Sequence, residues 1–587
     1  MSLNTVQDTR APSVSGEALG DVRVDFNVET PMRDGVILRS DIYRPITDKP
    51  VPALLTRGPY DKRVMHGSHL GLDVRAATAR GYAVVSQDVR GRFASDGEFL
   101  VTPTQAVEGP DGYDTIEWLA QQPWCSGAVG MYGASYVSLT QWMAAAERPP
   151  HLKAIVPEKT GYPPRGAIML DSIMIAWAAS QARDWLEKAM LRQEAGEKEM
   201  RIIRDALTDP QSAALHLPLD DMPLMKVGGL PKFQEMVSLF HSQADMDVAS
   251  VDCPVLVVSG WYDMATTETA RMYEILRGRA DKDGAQQEAN ILFGPWDHGT
   301  ASLALGEWYF GPFAAARMAL IPDLYLDFYD RHLKGDTSKP APGARYFVMG
   351  ANEWRSSPTW PPPNRPQAMY LHSAGAANGS GGDGHLSTQA PSAHSPVDHY
   401  RYDPLEPVPS FGGRYFEFGG SRPGPYDQRR IEERHDVLVY TSDGLEQPLE
   451  IAGQVRLRVF MTCSTPDTDL ALKLCDVAPN GVSHNILDEF YRCRWREGYD
   501  KTLLFEGGKI YEFDIDMGPI AHQFGVGHRV RLQVTSSAFP HFDRNMNTGH
   551  AMGVDAEGLI AEVAILHDAD HPSQLVLPVT EAPASAV

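Results

Sequence analysis

Alternating apolar and polar side chains in VRVDFNVETPM (22–32) predict a half-buried strand, and ILRSDIYRP (37–45) predicts its partner beyond a turn at Asp34-Gly35. Two continuous apolar runs follow, VPALLTRG (51–58) and GYAVVSQDV (81–89), separated by a segment long enough to cross over as a helix. YDTIEWLAQQ (113–122) has helical spacing and AVGMYG (128–133) again reads as a strand. Apolar strands alternating with helical segments predict a parallel sheet covered on both faces, the α/β class.

The rhythm changes from about residue 160 to 250. LDSIMIAWAASQARDWLEKAMLRQ (170–193) and PKFQEMVSLFHSQ (231–243) predict two helices, with irregular segments between them around Pro218 and Pro223. Strand–loop units then resume in CPVLVVSGWYD (253–263) and ANILFGPWDHG (289–299), flanking a helix at TARMYEILRG (269–278). LYLDFYDRHLKG (324–335) predicts a further helix with Gly335 as its cap. After the proline-rich 358–366 and glycine-rich 374–384 come short alternating runs such as VLVYTS (437–442), GQVRLRVFMT (453–462) and HRVRLQVTSS (528–537), as in an all-β sandwich or jelly roll. The expected division is a sheet domain in two parts, 1–160 and 251–360, a helical cap at 161–250 and a β-sandwich at 361–587.

Composition adds exclusions. A formal net charge of −23 works against binding nucleic acid or an anionic membrane. Five scattered cysteines without a C-x-x-C spacing suggest free thiols in a reducing compartment rather than a disulfide framework or a zinc site. The first twenty residues lack an apolar stretch after a basic start, and no apolar run is long enough for a membrane span, so a cytoplasmic protein is expected. Oligomeric state stays open; a homo-oligomer is compatible with the sequence.

The candidate chemistry lies in GMYGASYVSLTQWMAAA (130–146), where an apolar strand runs into Gly133-Ala134-Ser135-Tyr136 and helix formers follow at once. That is the setting of a nucleophile elbow, a sharp turn needing small neighbours. The usual G-x-S-x-G pattern has glycine two places after the serine; here Val137 stands there. A serine hydroxyl needs a general base, and His298 lies in a loop just past an apolar strand. Asp263, at the end of VLVVSGWYD, is the expected partner of the imidazole; Asp297 competes for that role but is badly placed to reach its neighbour's ring. The order Ser, Asp, His is that of α/β-hydrolases. The backbone N–H of Tyr136 and the hydroxyl of Tyr60, in the loop after VPALLTRG, are the expected oxyanion donors. Serine, imidazole and these donors suffice for acyl transfer, so neither a metal nor an organic cofactor is expected.

RGPY (57–60), QDVRGRFASDGEF (87–99), WCSGAVGMYGASY (124–136), GWYD (260–263), PWDHG (295–299), YDPLEPVP (402–409), LCDVAPNG (474–481) and SSAFPHFDRNMNTG (536–549) together resemble the cocaine esterase family. That family also takes in X-prolyl dipeptidyl peptidases, α-amino-acid ester hydrolases and glutaryl-cephalosporin acylases. The resemblance implies an α/β-hydrolase core, a helical cap and a C-terminal jelly roll. It further implies a triad of Ser135, Asp263 and His298, with Tyr60 and Tyr136 in the oxyanion hole. The family's elbow is usually G-x-S-Y-x-G, which accounts for Val137 but leaves Ser138 where a glycine is expected.

The expected activity is hydrolysis of a small carboxylic ester through an acyl-serine. Met264-Ala265-Thr266, just after the expected acid, offers no carboxylate for a substrate ammonium, and the cap is rich in apolar side chains, Trp177 and Trp185 among them. An uncharged or aromatic acyl group is therefore favoured. The alternatives are an amide-cleaving acylase or dipeptidyl/aminopeptidase of the same family, and a non-catalytic binding protein built on a relic core.

Overall fold

Residues 51–58, 83–88, 125–134, 152–158, 255–260 and 289–294 are largely buried strands, and they form the centre of one sheet. The computed structural model describes residues 14–580 except 20, 66–71, 101–102, 162–169, 192–195, 228–232, 234, 236, 238–245, 284–287, 300, 392–394 and 417–421. Its first sheet contains β1 (Val14–Leu19), β2 (Val22–Pro31), β3 (Ile37–Pro45), β4 (Val51–Gly58), β5 (Ala83–Asp88), β6 (Cys125–Ala134), β7 (Leu152–Glu158), β8 (Val255–Gly260), β9 (Ala289–Gly294), β10 (Ala344–Val348) and β11 (Glu353–Ser357). The spatial order is β1-β2-β3-β5-β4-β6-β7-β8-β9-β10-β11. Pairing is parallel from β5 across to β10 and antiparallel at both edges.

Every residue of β5 and of β8 is buried, so both faces of the sheet are covered. The covering helices include α1 (Gln105–Ala120), α2 (Tyr136–Ala146), α5 (Thr266–Asp283) and α6 (Ile321–Leu333). Helix α1 begins eight residues before the segment with clear helical spacing and contains Pro110. Helix α6 ends at Leu333, and Gly335 takes a positive φ of 73° just beyond it.

The cap departs from expectation in two places. The stretch from 170 starts as wider π-type turns, Leu170–Trp177, before becoming the regular helix α3 (Ala178–Leu191). The segment read as irregular contains a full helix, α4 (Glu197–Thr208). Its register is set by Ile203 and Ala206, which are buried, and its start by Glu199, whose carboxylate accepts the N–H of Gly196 at 3.2 Å. The helix expected at 231–243 lies largely outside the described residues, as does the side chain of Trp185.

The last strand of the first sheet ends at Ser357, and a second, all-β sheet system begins with Asn364–His372. Its longest strand, Leu449–Cys463, pairs with Tyr511–Phe524, Ala561–Leu566 and Gln574–Thr580, giving the folded-over sandwich of a jelly roll. This unit packs directly on the first sheet: Met349 N–H donates to Ala521 O, and Gln523 N–H returns a bond to Met349 O. The cap joins it through Leu170 N–H to His541 O. All five cysteines are buried and unbridged.

Candidate active site

Ser135 sits at the tip of the turn between β6 and α2, with φ 62° and ψ −129°. Gly133 makes the turn possible: it has φ 127°, and a Cβ there would lie 2.4 Å from Cγ1 of Val137. The Ser135 N–H donates to Glu158 O, tying the turn to the end of β7, and its carbonyl starts α2 by accepting from Ser138 and Leu139. Ser138, where the family pattern has glycine, is buried with its hydroxyl bonded to that of Thr160. A small polar side chain thus replaces the missing glycine without opening the helix–sheet contact.

Because β6, β7, β8 and β9 are consecutive and parallel, the loops that follow them share one edge of the sheet. Asp263 follows β8 and His298 follows β9. The carboxylate Oδ2 lies 2.9 Å from Nδ1 of His298, and Oδ1 accepts the N–H of Ala265 at 2.6 Å. Gly260 lets these loops meet, since a Cβ there would fall 2.2 Å from the carbonyl oxygen of Trp296. Burial alone would push the Asp263 carboxyl upward, but His298, then Lys159 and the Ala265 amide, hold it below its ordinary value. Asp297 is also buried, but the bond to the ring belongs to Asp263.

Tyr60 reaches the same place from the loop after β4. Burial raises its phenol above the ordinary value, opposed by hydrogen bonds with the Ser135 hydroxyl, the Trp177 side chain and the backbone N–H of Tyr136. The two expected oxyanion donors and the serine therefore converge. The Ser135 hydroxyl is engaged with Tyr60, whereas Nε2 of His298 makes no hydrogen bond. Tyr136 is held from behind: its hydroxyl donates to Glu108 Oε1 at 3.0 Å, and the buried Arg57 guanidinium pairs with Glu108 Oε2 at 3.2 Å. Arg92 holds the Tyr60 loop through a 3.0 Å bond to Pro59 O.

Four neighbours of the site escaped the sequence reading or had no assigned place in it. The indole of Trp177 in the cap reaches Tyr60. The ring of Phe416, from the β-sandwich, stands edge-on to His298 with centroids 4.8 Å apart. Arg414 is buried and donates to Trp261 O at 3.2 Å, Thr267 Oγ1 at 3.0 Å and Pro519 O at 2.8 Å, spanning the acid loop and the sandwich. Lys159, just past β7, donates from Nζ to His298 O at 2.8 Å. The one available signal for Lys159 was its place: a charged residue directly after a buried strand, at the edge where the reactive loops gather.

A second meeting of Ser, His and Asp occurs in the sandwich but has the wrong geometry. Ser373 Oγ and Asp398 Oδ2 approach the same nitrogen, Nε2 of His567, at 3.0 and 2.9 Å. A relay needs the acid and the hydroxyl on opposite ring nitrogens. Among the described residues no group of three or more His, Cys, Asp or Glu side chains is arranged to hold a metal ion, and no helix is long and apolar enough to cross a membrane.

Comparison with known proteins gives a consistent picture. Residues 34–300 match the model of the X-Pro dipeptidyl-peptidase (S15) family, and residues 337–576 match the X-Pro dipeptidyl-peptidase C-terminal non-catalytic domain. The chain is 37% identical to the cocaine esterase of Rhodococcus sp. (strain MB1 Bresler) over 586 residues, 95% of this chain and 99% of that one. Among solved structures it resembles an α-amino acid ester hydrolase, with a TM-score of 0.75 and 25% identity over 99% of this chain and 100% of that one. An aminopeptidase from a marine sediment Thaumarchaeota archaeon shares the fold, with a TM-score of 0.77 and 24% identity over the same fractions.

Proposed function

The chain belongs to the X-Pro dipeptidyl-peptidase (S15) family of serine hydrolases, and from that premise we propose that it cleaves carboxylic esters of uncharged acyl groups through an acyl-serine on Ser135. It is an enzyme acting on ester or amide bonds. The observations that carry the residue assignment are the Asp263–His298 hydrogen bond and the hydrogen bonds that join Tyr60 to the Ser135 hydroxyl and the Tyr136 amide, both at the same edge of the first sheet.

In this reading the Ser135 hydroxyl turns from Tyr60 towards Nε2 of His298 and attacks the ester carbonyl, its proton passing to the imidazole. Asp263 stays ionised, fixes the ring with Nδ1 protonated and stabilises the imidazolium. The carbonyl oxygen becomes an oxyanion and takes hydrogen bonds from the Tyr136 N–H and the Tyr60 O–H. Collapse expels the alkoxide, which collects the proton from Nε2, and leaves the acyl group on Ser135. Water, deprotonated by the same nitrogen, then attacks the acyl carbon; collapse breaks the bond to Ser135 Oγ, which takes the proton back from Nε2 as the acid leaves.

The acyl preference is supported by three neutral side chains near the site. Met264 and Trp177 each pack against the apolar core of the cap, and Phe416 flanks His298. A substrate ammonium would find no partner among these three, and leaving it buried and unpaired is unfavourable. The family match favours a second reading, amide cleavage as in an X-Pro dipeptidyl-peptidase. Matched aryl esters and anilides separate the two: the ester reading expects anilide turnover at least about 10²-fold slower, and comparable rates overturn it. Labelling with a fluorophosphonate tests the nucleophile. The labelled peptide should contain Ser135, and Ser135→Ala should lose turnover by about 10⁴-fold or more. We also place the protein in the cytoplasm, on the support of five buried, unbridged thiols; cell fractionation tests this.

A further inference from the structure

Lys159 has no part in the scheme above, yet it is built into the site. It follows β7 with a left-handed φ of 50°, its N–H donates to Val258 O at 2.6 Å, and only 2% of its surface is exposed. A buried ammonium is unfavourable unless it is paired and hydrogen-bonded. The partner is specific: Nζ donates to the backbone carbonyl of His298. The loop that carries His298 is held at its start by Trp261 N–H to Gly294 O and by Tyr262 N–H to Trp296 O. Lys159 holds it at the histidine itself.

We propose that Lys159 is a positioning residue for proton transfer: its ammonium fixes the His298 backbone, holding the ring on Asp263, and supplies positive charge to the buried carboxylate cluster around them. The proposal rests on Ser135, Asp263 and His298 being the reacting set. Its electrostatic side has a clear origin. Asp263, Asp297 and Glu158 are all fully buried, and all three act on the lysine. Burial depresses the ammonium and these carboxylates oppose that shift, while Lys159 in turn helps to hold Asp263 low. The other charged groups facing this cluster are Asp297 on the histidine loop, Glu158 at the end of β7 and Arg414 from the sandwich, which interacts with Asp263. These stay in place when Lys159 is replaced.

Removing the ammonium then has a definite sign. A cation near a carboxyl favours the carboxylate. Without it the Asp263 carboxyl binds protons more readily, so the acceptor that orients the ring is lost at a higher pH. In Lys159→Met, kcat on 4-nitrophenyl acetate should fall about tenfold or more with KM changed less than about threefold. The acidic limb of kcat/KM should move to higher pH by about half a unit or more. Lys159→Arg keeps the charge and should keep the wild-type limb while recovering most of kcat. Fluorophosphonate labelling of Ser135, followed against pH, should show the same shift without depending on the substrate chosen.

If wild-type protein is not labelled at Ser135, the catalytic assignment fails and takes this proposal with it. If wild-type protein is labelled there and Lys159→Met reacts at the same rate with the same limb, the proposal alone is overturned. It is also overturned if Lys159→Arg is as impaired as Lys159→Met, which would make the lysine a packing residue. Should Lys159→Met not fold, Lys159→Gln carries the same comparison.

Discussion

At Ser135 the backbone holds φ 62°, a conformation that costs an L-residue about 1–3 kcal/mol unless its surroundings impose it. The cost is offset locally, by the bond to Glu158 and by the helix that starts on the serine carbonyl. What the strain supports is position, with the hydroxyl beside Tyr60 and the amide of Tyr136. If the Tyr60 phenol donates only to the developing oxyanion, Tyr60→Phe should lower kcat by about 10²-fold and leave KM within about threefold. The pH dependence has a sign as well. Burial raises the phenol above its ordinary value near 10, so the donor stays protonated and kcat should not fall with Tyr60 ionisation below about pH 10. A descending limb at pH 8–9 that vanishes in Tyr60→Phe, measured on 4-nitrophenyl acetate, would refute the role. Of the residues at this scale, Ser135, Asp263 and His298 could be picked out as candidates from sequence because each follows an apolar run at a strand end. Lys159 and Arg414 could not, because a basic residue in a sequence reads as solvated until the burial around it is known.

Between β6 and α2 the chain turns so sharply that the side chain two residues before the nucleophile has no room. A methyl group at position 133 would meet both Cγ1 and Cβ of Val137, at 2.4 and 3.1 Å, on a backbone already at φ 127°. Gly133→Ala should therefore displace the elbow rather than merely weaken it. A shift of about 1 Å in a reacting atom is worth about 10² in rate, so fluorophosphonate labelling of Ser135 should slow by at least about that factor, with a lower urea midpoint. Wild-type labelling in this variant would mean that the turn is softer than its contacts imply. The same balance of local and non-local forces decides what was legible at this scale. Strands β3 and β4 begin and end where the sequence pattern predicts, although β3 buries Arg39, Ser40 and Asp41 beside Leu38 and Ile42. Helix α4 was missed: EKEMRIIRDALT carries six charged residues among twelve, and only Ile203 and Ala206 are buried. Met200, Ile203 and Leu207 do recur at helical spacing and pack into the cap, but the charges around them mask that stripe in the sequence.

Across the whole molecule, the first sheet, the cap and the sandwich meet around the proposed site. The first sheet brings Ser135, Asp263 and His298 to one edge, the cap brings Trp177 to Tyr60, and the sandwich brings Phe416 to His298. Arg414 makes the last of these contacts more than incidental. Its guanidinium grips the carbonyl of Trp261, two residues before Asp263, while the segment it belongs to places Phe416 against the base. Burial depresses the pKa of the guanidinium, and surrounding carboxylates, among them Asp488 and Asp263, oppose that shift. Arg414→Ala would leave the Trp261 and Pro519 carbonyls without this donor, at a cost of roughly 3 kcal/mol in folding stability. It would also loosen the acid loop, so kcat should fall about tenfold at a pH and temperature where the variant remains folded. A urea titration and a kinetic assay on the same sample distinguish the two effects. Lower stability with unchanged kcat would mean that the sandwich only covers the core; a fall in both would mean that the all-β domain, though it contributes no reacting atom, sets the geometry in which the acid and the base act.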